Sequence, residues 1–306
     1  MNSHHINIFE FPSNLGLKKK ESDSEPGVRF LPDWLRKHQL YTQLNPRQIF
    51  TLPPPPYGMN LDEASGVRNA TQILDYAKKQ AGLLLSEKAS DCFQLMIGGD
   101  CSILIGNALA LKQQGKYGLF FLDGHTDFMM PDFSQTGGAA GMDLAIITGH
   151  GHPKLTNILN LQPYFDEKNV WCVGNREYDR DYVKPILESE ITYVDLQKVR
   201  SVGMAQCTGQ FLEMVENHQL DEFFIHLDVD VLNDRIMPAV DSRQPDGLEY
   251  EELTHLLENL LASPKAIGLE ITILDPSLDK VGVYTTELIT NLVKAINAGR
   301  KATLAS

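Results

Sequence analysis

The chain has 306 residues, with 27 basic and 40 acidic side chains and a formal net charge of −13. This acidity argues against a nucleic-acid partner and suits a small neutral or cationic ligand. No apolar run approaches the roughly 18 residues of a membrane span, so no membrane partner is expected. The four cysteines are scattered through apolar segments without a tight pair, a pattern typical of a reduced, cytoplasmic protein.

Short apolar runs alternate with helical patterns along the chain, which indicates a parallel sheet covered by helices. The predicted strands are Ile6–Phe9, Phe93–Ile97, Gly118–Leu122, Val170–Val173, Ile191–Val194, Phe223–Leu227 and Ala266–Ile271. The predicted helices are Glu63–Leu85, Ile103–Gln114, Met142–Thr148, Tyr182–Glu188, Gly203–Glu216, Glu249–Leu261 and Glu287–Lys301. The polar stretch 18–27 and the proline run 53–58 are too short to divide the chain. We therefore predict a single domain over residues 1–306.

Two of the predicted strands end in clusters of acids. The segment 120-FFLDGHTDF-128 carries Asp123, His125 and Asp127 at its end, and 224-FIHLDVDVL-232 carries Asp228 and Asp230. Residues two apart in an extended segment point the same way, so each set can converge. A single Asp at such a position is often only a cap or turn residue. Carboxylates crowded together repel one another unless a cation neutralises them, and this donor set favours a divalent metal such as Mn²⁺.

A third segment, 98-GGDCS-102, places a thiol directly after a buried strand. Ligand sites in open α/β sheets lie at the carboxyl ends of strands, which makes Cys101 a candidate for chemistry. A small buried residue of no chemical role is the other interpretation, since free cysteine packs as a small apolar side chain.

Together these segments resemble the ureohydrolases, the group that contains arginase, agmatinase and formiminoglutamase. That family has Gly-Gly-Asp-His-Ser, Asp-Ala-His-x-Asp and Asp-x-Asp in the same order. The similarity extends from 25-EPGVRFLPDWLRKHQL-40 to 275-DPSLD-279. It implies a three-layer αβα sandwich around a mainly parallel sheet. It also implies a hydrolase that uses two divalent metals, of which Mn²⁺ is the expected one, to cleave a linear C–N bond in a small amidine or guanidino compound.

The resemblance also implies a role for each residue of the acidic clusters. Asp123 and Asp228 would bridge the two metals. Asp127 would complete one metal site and relay a proton during catalysis. His125 and Asp230 would complete the other metal site.

Cys101 stands where the family has a histidine ligand, so the resemblance implies that its sulfur faces the first metal. This variant resembles the hydroxyarginine-hydrolysing branch of the family. A thiolate adds one negative charge to the site and shifts metal preference toward softer ions such as Zn²⁺, Co²⁺ or Fe²⁺.

Three further positions concern the substrate. Ala140 replaces the family's histidine near the leaving group, and His150 or His152 is a candidate to substitute for it. Ile273 stands where a glutamate normally holds the guanidinium, so an amidine that can be neutral near pH 7, such as an N-hydroxyguanidine, is the expected substrate. Asp179 matches an acid that helps to bind the amine of an amino-acid substrate.

A competing interpretation is a metal-binding relative without hydrolase activity, acting as a scaffold or regulator. The missing histidine and glutamate favour it, whereas the otherwise complete ligand set argues against it. Deacetylation on a related fold ranks last, because the expected histidine pair is absent from the sequence motifs. A homo-oligomer is left open.

Overall fold

The computed structural model describes residues 5–19, 24–87 and 92–305. Residues 20–23 of the polar stretch predicted as a loop lie outside the described residues. The strands, in chain order, are β1 His5–Phe11, β2 Gln48–Thr51, β3 Leu61–Asp62, β4 Val67–Arg68, β5 Cys92–Gly98, β6 Tyr117–Leu122, β7 Val170–Val173, β8 Thr192–Val194, β9 Glu222–Asp228 and β10 Ala266–Thr272.

Eight of these strands form one sheet in the order β2-β1-β5-β10-β9-β6-β7-β8, and every neighbouring pair is parallel. The central strands are buried on both faces, which explains their nearly continuous apolar sequences. All seven predicted strands are present.

Helices cover both faces of this sheet. They are α1 Leu31–Lys37, α2 Leu40–Leu44, α3 Ala70–Ser86, α4 Ile103–Lys112, α5 Asp143–Ile147, α6 Pro153–Thr156, α7 Arg180–Leu187, α8 Leu196–Val202, α9 Met204–Asn217, α10 Tyr250–Leu261 and α11 Val283–Ala305. One apolar core packs α1, α2 and α8–α11 against the sheet, and a second packs α3–α7 against the opposite face. The predicted three-layer αβα class is confirmed. No helix in the described ranges is long and apolar enough to cross a membrane.

One helix boundary and one strand differ clearly from the sequence prediction. The helix expected from Glu63 begins only at Ala70, because β3 and β4 form a short antiparallel hairpin before it. Asn69 then adopts a left-handed conformation (φ 54°), which a continuous right-handed helix cannot contain. Strand β2 was not predicted, because it is an edge strand whose side chains are mostly exposed and show no apolar run.

The strand order decides where the chemistry lies. Strands β5, β10, β9 and β6 are consecutive neighbours in the sheet, and all run in the same direction. Their carboxyl ends therefore meet at one edge, where ligand sites of open α/β sheets are found.

Candidate active site

A cavity of about 270 Å³ opens at this edge of the sheet. Its wall includes residues from four different segments that follow the central strands. Seven residues singled out in the sequence line it: Cys101, His125, Asp127, Ala140, Asp228, Asp230 and Ile273. Asp123 lies beneath the cavity wall and is fully buried.

The loop after β6 is folded by the acids that it carries. Asp123 accepts a hydrogen bond from the backbone N–H of His125 (2.6 Å), which turns the chain directly after the strand. His125 then points its Nδ1 to within 2.9 Å of Asp230 Oδ2 and 3.6 Å of Asp123 Oδ1. Asp127 has a positive φ of 42°, a conformation that is uncommon for residues other than glycine and is often found at functional sites.

The end of β9 holds the second acidic pair in a tight turn. Asp228 accepts the backbone N–H of Asp230 (2.7 Å), and Asp230 accepts the backbone N–H of Gly124 (3.0 Å). Arg176, itself buried, donates to the carbonyl of Asp230 (2.8 Å). These bonds connect the loops after β6 and β9, so the two predicted clusters form one site.

Cys101 is held at the same site by the loop after β5. Asp100 accepts the backbone N–H groups of Gly16 (3.0 Å) and Ser102 (2.8 Å), which fixes the loop. At Gly99 a Cβ would lie 1.8 Å from the carbonyl oxygen of Ser13, so only glycine fits there. The sulfur of Cys101 donates to Asp228 Oδ2 at 2.9 Å, and it lies 3.1 Å from the hydroxyl of Thr272.

The electrostatics of this cluster disfavour carboxylates that are left without a cation. Burial, followed by repulsion from neighbouring acids, raises the pKa of Asp127 and Asp228 well above the ordinary value. Burial would also raise the pKa of Asp230, but the adjacent His125 lowers it overall. Burial and the charge of Asp228 likewise raise the pKa of the Cys101 thiol. A bound divalent cation would reverse these effects, because it favours the charged form of every donor around it.

The protein groups fit a metal centre. Three sets of donor atoms lie within 4.8 Å of one another: Cys101, Asp123 and His226; Cys101, Asp127 and Asp143; and Asp123, His125 and Asp230. Three atoms in these sets are buried without a hydrogen-bond partner: Asp123 Oδ2, Asp143 Oδ2 and His226 Nε2. Buried polar atoms are normally paired, so these unpaired donors are well suited to coordinating ions.

Sequence reasoning missed three residues of this region. His226 is two residues before Asp228 on the same strand, and this alternation was the available signal. Asp143 is in the first turn of α5, where an acid is ordinary, so nothing in the sequence distinguished it. Tyr182 lines the cavity from α7, and its hydroxyl accepts the backbone N–H of Thr126 (3.0 Å).

Two of the substitutions relative to the family lie on the cavity wall. Ala140 and Ile273 both line it and are almost fully buried. Ile273 has a φ of 74°, which is a strained conformation for a β-branched residue, and its N–H donates to the carbonyl of Gly99 (2.8 Å). Glu270 does not replace the missing acid, because it is fully buried in β10 and bonded to His226 and Asn107.

Three other candidates do not lie on the described cavity wall. Asp179 is exposed and caps α7, accepting the N–H groups of Asp181 (3.0 Å) and Tyr182 (3.1 Å). Its role in binding a substrate amine stays a prediction. His150 pairs with Glu167, and His152 caps α6, so neither is placed to replace the family's catalytic histidine.

Fold and site together define a class of protein: a three-layer αβα protein with a buried, acidic cluster of candidate metal ligands at the carboxyl edge of a parallel sheet. The model of the arginase family matches residues 6–298, so the chain belongs to the arginase family. An arginase of Staphylococcus aureus (strain MRSA252) is 28% identical over 290 residues, covering 94% of this chain and 95% of that protein.

Solved structures show the same fold. The structure of arginase from Bacillus caldovelox superposes with a TM-score of 0.85 at 24% identity, covering 95% of this chain and 98% of that chain. Formimidoylglutamase from Bacillus subtilis superposes with a TM-score of 0.70 at 19% identity, covering 96% and 87%. The chain is thus a metal-dependent hydrolase of amidino C–N bonds, in a family that typically uses a binuclear manganese centre.

Proposed function

We propose that this protein hydrolyses a small amidine that can be neutral near pH 7, such as an N-hydroxyguanidine, in preference to arginine. The observation that carries the proposal is Ile273, which presents a buried apolar side chain to the cavity where the family has a glutamate. A guanidinium beside Ile273 would lose water without gaining a counter-charge, and an unpaired buried charge is costly.

The cavity offers its remaining carboxylate at a more exposed position. Of the four acids on the described wall, Asp127, Asp228 and Asp230 belong to the metal cluster. Asp241 is half-buried, is followed by the exposed Ser242, and also borders a neighbouring depression with Glu25. This position suits a cationic tail of the substrate better than its reacting amidine.

The ligands proposed for two divalent ions lie at the carboxyl edge of the sheet, and all but the partly exposed His125 are buried; they are Cys101, Asp123, His125, Asp127, Asp228 and Asp230. When bound, two such ions lower the pKa of a water molecule and polarise the amidine. Mn²⁺ is the typical family metal, and a sulfur donor favours softer ions. Asp127 is both within this cluster and on the cavity wall, so it can relay a proton between water and leaving group.

The second candidate is a metal-binding relative without hydrolase activity. Ala140 favours it, because a methyl group on the cavity wall cannot transfer a proton to a leaving amine. The match to the arginase-family model over residues 6–298 favours the hydrolase. Four buried free cysteines suit the reducing cytoplasm that we propose as its location.

A substrate screen tests the proposed function directly. The purified protein, loaded in turn with Mn²⁺, Zn²⁺ and Co²⁺, is offered arginine, agmatine, N-hydroxyarginine and formiminoglutamate. We expect release of hydroxyurea from N-hydroxyarginine to exceed release of urea from arginine, and chelation to abolish it. Arginine turnover equal to that of every other compound would contradict the charge argument, and no turnover by any metal form would favour the scaffold.

Replacing Cys101 with serine tests the sulfur ligand, because it exchanges sulfur for oxygen in nearly the same shape. We expect the preference for Zn²⁺ over Mn²⁺ to fall by roughly 10-fold or more, the scale of changes around a metal site. Competition dialysis with both metals measures this ratio. Cys172→Ser is the matched control, since Cys172 is also fully buried in β7 but neither lines the cavity nor belongs to a donor set among the described residues. An unchanged ratio in Cys101→Ser would make Cys101 a packing residue.

A further inference from the structure

His226 lies in the centre of the sheet, on the face that carries the metal cluster. It is fully buried in β9, two residues before Asp228, so the two side chains leave the strand on the same face. Its register partners are Phe121 in β6 and Glu270 in β10. The imidazole stacks on the ring of Phe121, with centroids 4.4 Å apart and planes within 6°.

A chain of buried polar groups fixes the orientation of this imidazole. Its Nδ1 lies 2.5 Å from Glu270 Oε1. The other oxygen of Glu270 accepts from the side chain of Asn107, whose own oxygen accepts from Gln80 (2.6 Å). With Nδ1 against the Glu270 carboxylate, the neutral tautomer that fits this contact has its proton on Nδ1 and its lone pair on Nε2.

Nε2 faces the side of the site where Asp123 lies. His226 Nε2 has no hydrogen-bond partner and is 3.9 Å from Asp123 Oδ2, which is also buried and unpartnered. The distance is too long for a direct hydrogen bond but within the roughly 4.2 Å that two metal–ligand bonds can span. The sulfur of Cys101 completes a set of donors within 4.8 Å of one another.

A purely structural histidine would be expected to satisfy both ring nitrogens, because a buried unpaired polar atom costs about 1–3 kcal/mol. A carboxylate that orients a histidine through its far nitrogen is, by contrast, the usual arrangement behind a metal-bound imidazole. Both observations favour a ligand over a core residue.

We propose that His226 binds the first metal through Nε2, supplying from strand β9 the imidazole that Cys101 does not supply from the loop after β5. Glu270 and Asn107 act as positioning residues for it. The proposal rests on the metal centre of the proposed function. It makes the first site a mixed sulfur, nitrogen and oxygen site, with Cys101, His226 and Asp123 as donors.

The variant His226→Asn tests this proposal, since the asparagine amide can still donate to Glu270 near the position of Nδ1 but has nothing in place of Nε2. We expect the affinity for one of two Co²⁺ ions to fall at least 10-fold in equilibrium dialysis, while the other ion binds as before. In the proton NMR spectrum of the Co²⁺ form, one exchangeable, paramagnetically shifted imidazole N–H signal should disappear. Glu270→Gln should lower the affinity for the same ion by roughly 10–100-fold, the loss typical of mutating a residue that orients a metal ligand.

The thermal unfolding temperature of the metal-free protein, measured in the presence of a chelator, separates loss of a ligand from misfolding. We expect it to be the same in the variants and wild type, because the expected defect is confined to metal binding. His218→Asn is the matched control: His218 pairs with Asn169 and is absent from the donor sets among the described residues. If a folded His226→Asn variant binds two ions as tightly as wild type and keeps the N–H signal, His226 is not a metal ligand. The proposed function would not be affected by that result. If His226→Asn does not fold, Glu270→Gln decides the question. Loss of the imidazole N–H signal and weaker binding of one ion in Glu270→Gln support the proposal, whereas an unchanged signal and unchanged binding overturn it. Failure of wild type to bind metal would overturn the proposed function as well.

Discussion

Replacing Asp228 with asparagine is expected to remove most of both metals from the protein. Asp228 ends β9 at the centre of the site, where its two oxygens accept from the Cys101 sulfur and the Asp230 N–H. The amide keeps the shape of the side chain but loses the charge that neutralises the cations. The metal content measured by metal analysis should fall from about two ions per chain, as two-metal hydrolysis requires, to well below one. Amidine hydrolysis should fall by more than about 10²-fold, the scale of losing one electrostatic group.

The control for this prediction is the same chemical change at an exposed acid. Asp132 lies in the short helix after Met130, is exposed and does not line the cavity. Asp132→Asn should retain both metals and its activity. Full metal retention by Asp228→Asn would show that Asp228 does not bridge the metals.

Introducing a carboxylate at Ile273 is expected to shift substrate preference toward cationic guanidines. Ile273 lines the cavity, and its positive φ is better tolerated by an unbranched side chain than by isoleucine. A hydrogen bond to a charged group contributes about 1.5–3 kcal/mol, so Ile273→Glu should raise kcat/KM for arginine or agmatine by roughly 10- to 100-fold relative to a neutral amidine. Steady-state kinetics with paired substrates measures the ratio.

Ile273→Gln is the matched control, because it has the same shape as glutamate without its charge. It should relieve the same backbone strain without favouring arginine. An equal gain in Gln and Glu variants would assign the effect to shape or strain. If the wild-type protein turns over arginine as fast as any neutral amidine, the argument that Ile273 disfavours a cationic substrate is wrong.

In the proposed first site, the sulfur of Cys101 and the imidazole of His226 bind the same ion. Cys101 follows β5 and His226 lies in β9, the two strands on either side of β10, and the one donor set that contains His226 also contains Cys101. The additional acid Asp143 lies close to Cys101 and Asp127, so the first site has donors that the family motifs do not predict. Metal affinities measured for the Cys101, His226 and Asp228 variants therefore all report on the same cluster of metal ligands.

The sequence by itself determined the class of fold and the main acidic clusters. Continuous apolar strands alternating with helices require a covered parallel sheet, and the acids after β6 and β9 follow directly from the local order of residues. The alternation argument predicted that Asp228 and Asp230 converge, but the structure brings them together in a tight turn after β9, in which Asp228 accepts the N–H of Asp230. The family motifs then placed Cys101 with them.

Only the tertiary structure decided which other side chains complete the site. His226 looks like an ordinary core residue until β10 places Glu270 beside its Nδ1 and β6 places Asp123 near its Nε2. Asp179 matches a substrate-binding acid in sequence, yet its carboxylate caps α7. The physical reason is the same in each case: hydrogen bonding, burial and electrostatic repulsion depend on neighbours that are distant in the sequence. The order of the strands in the sheet, which brings these neighbours together, cannot be predicted from any local sequence pattern.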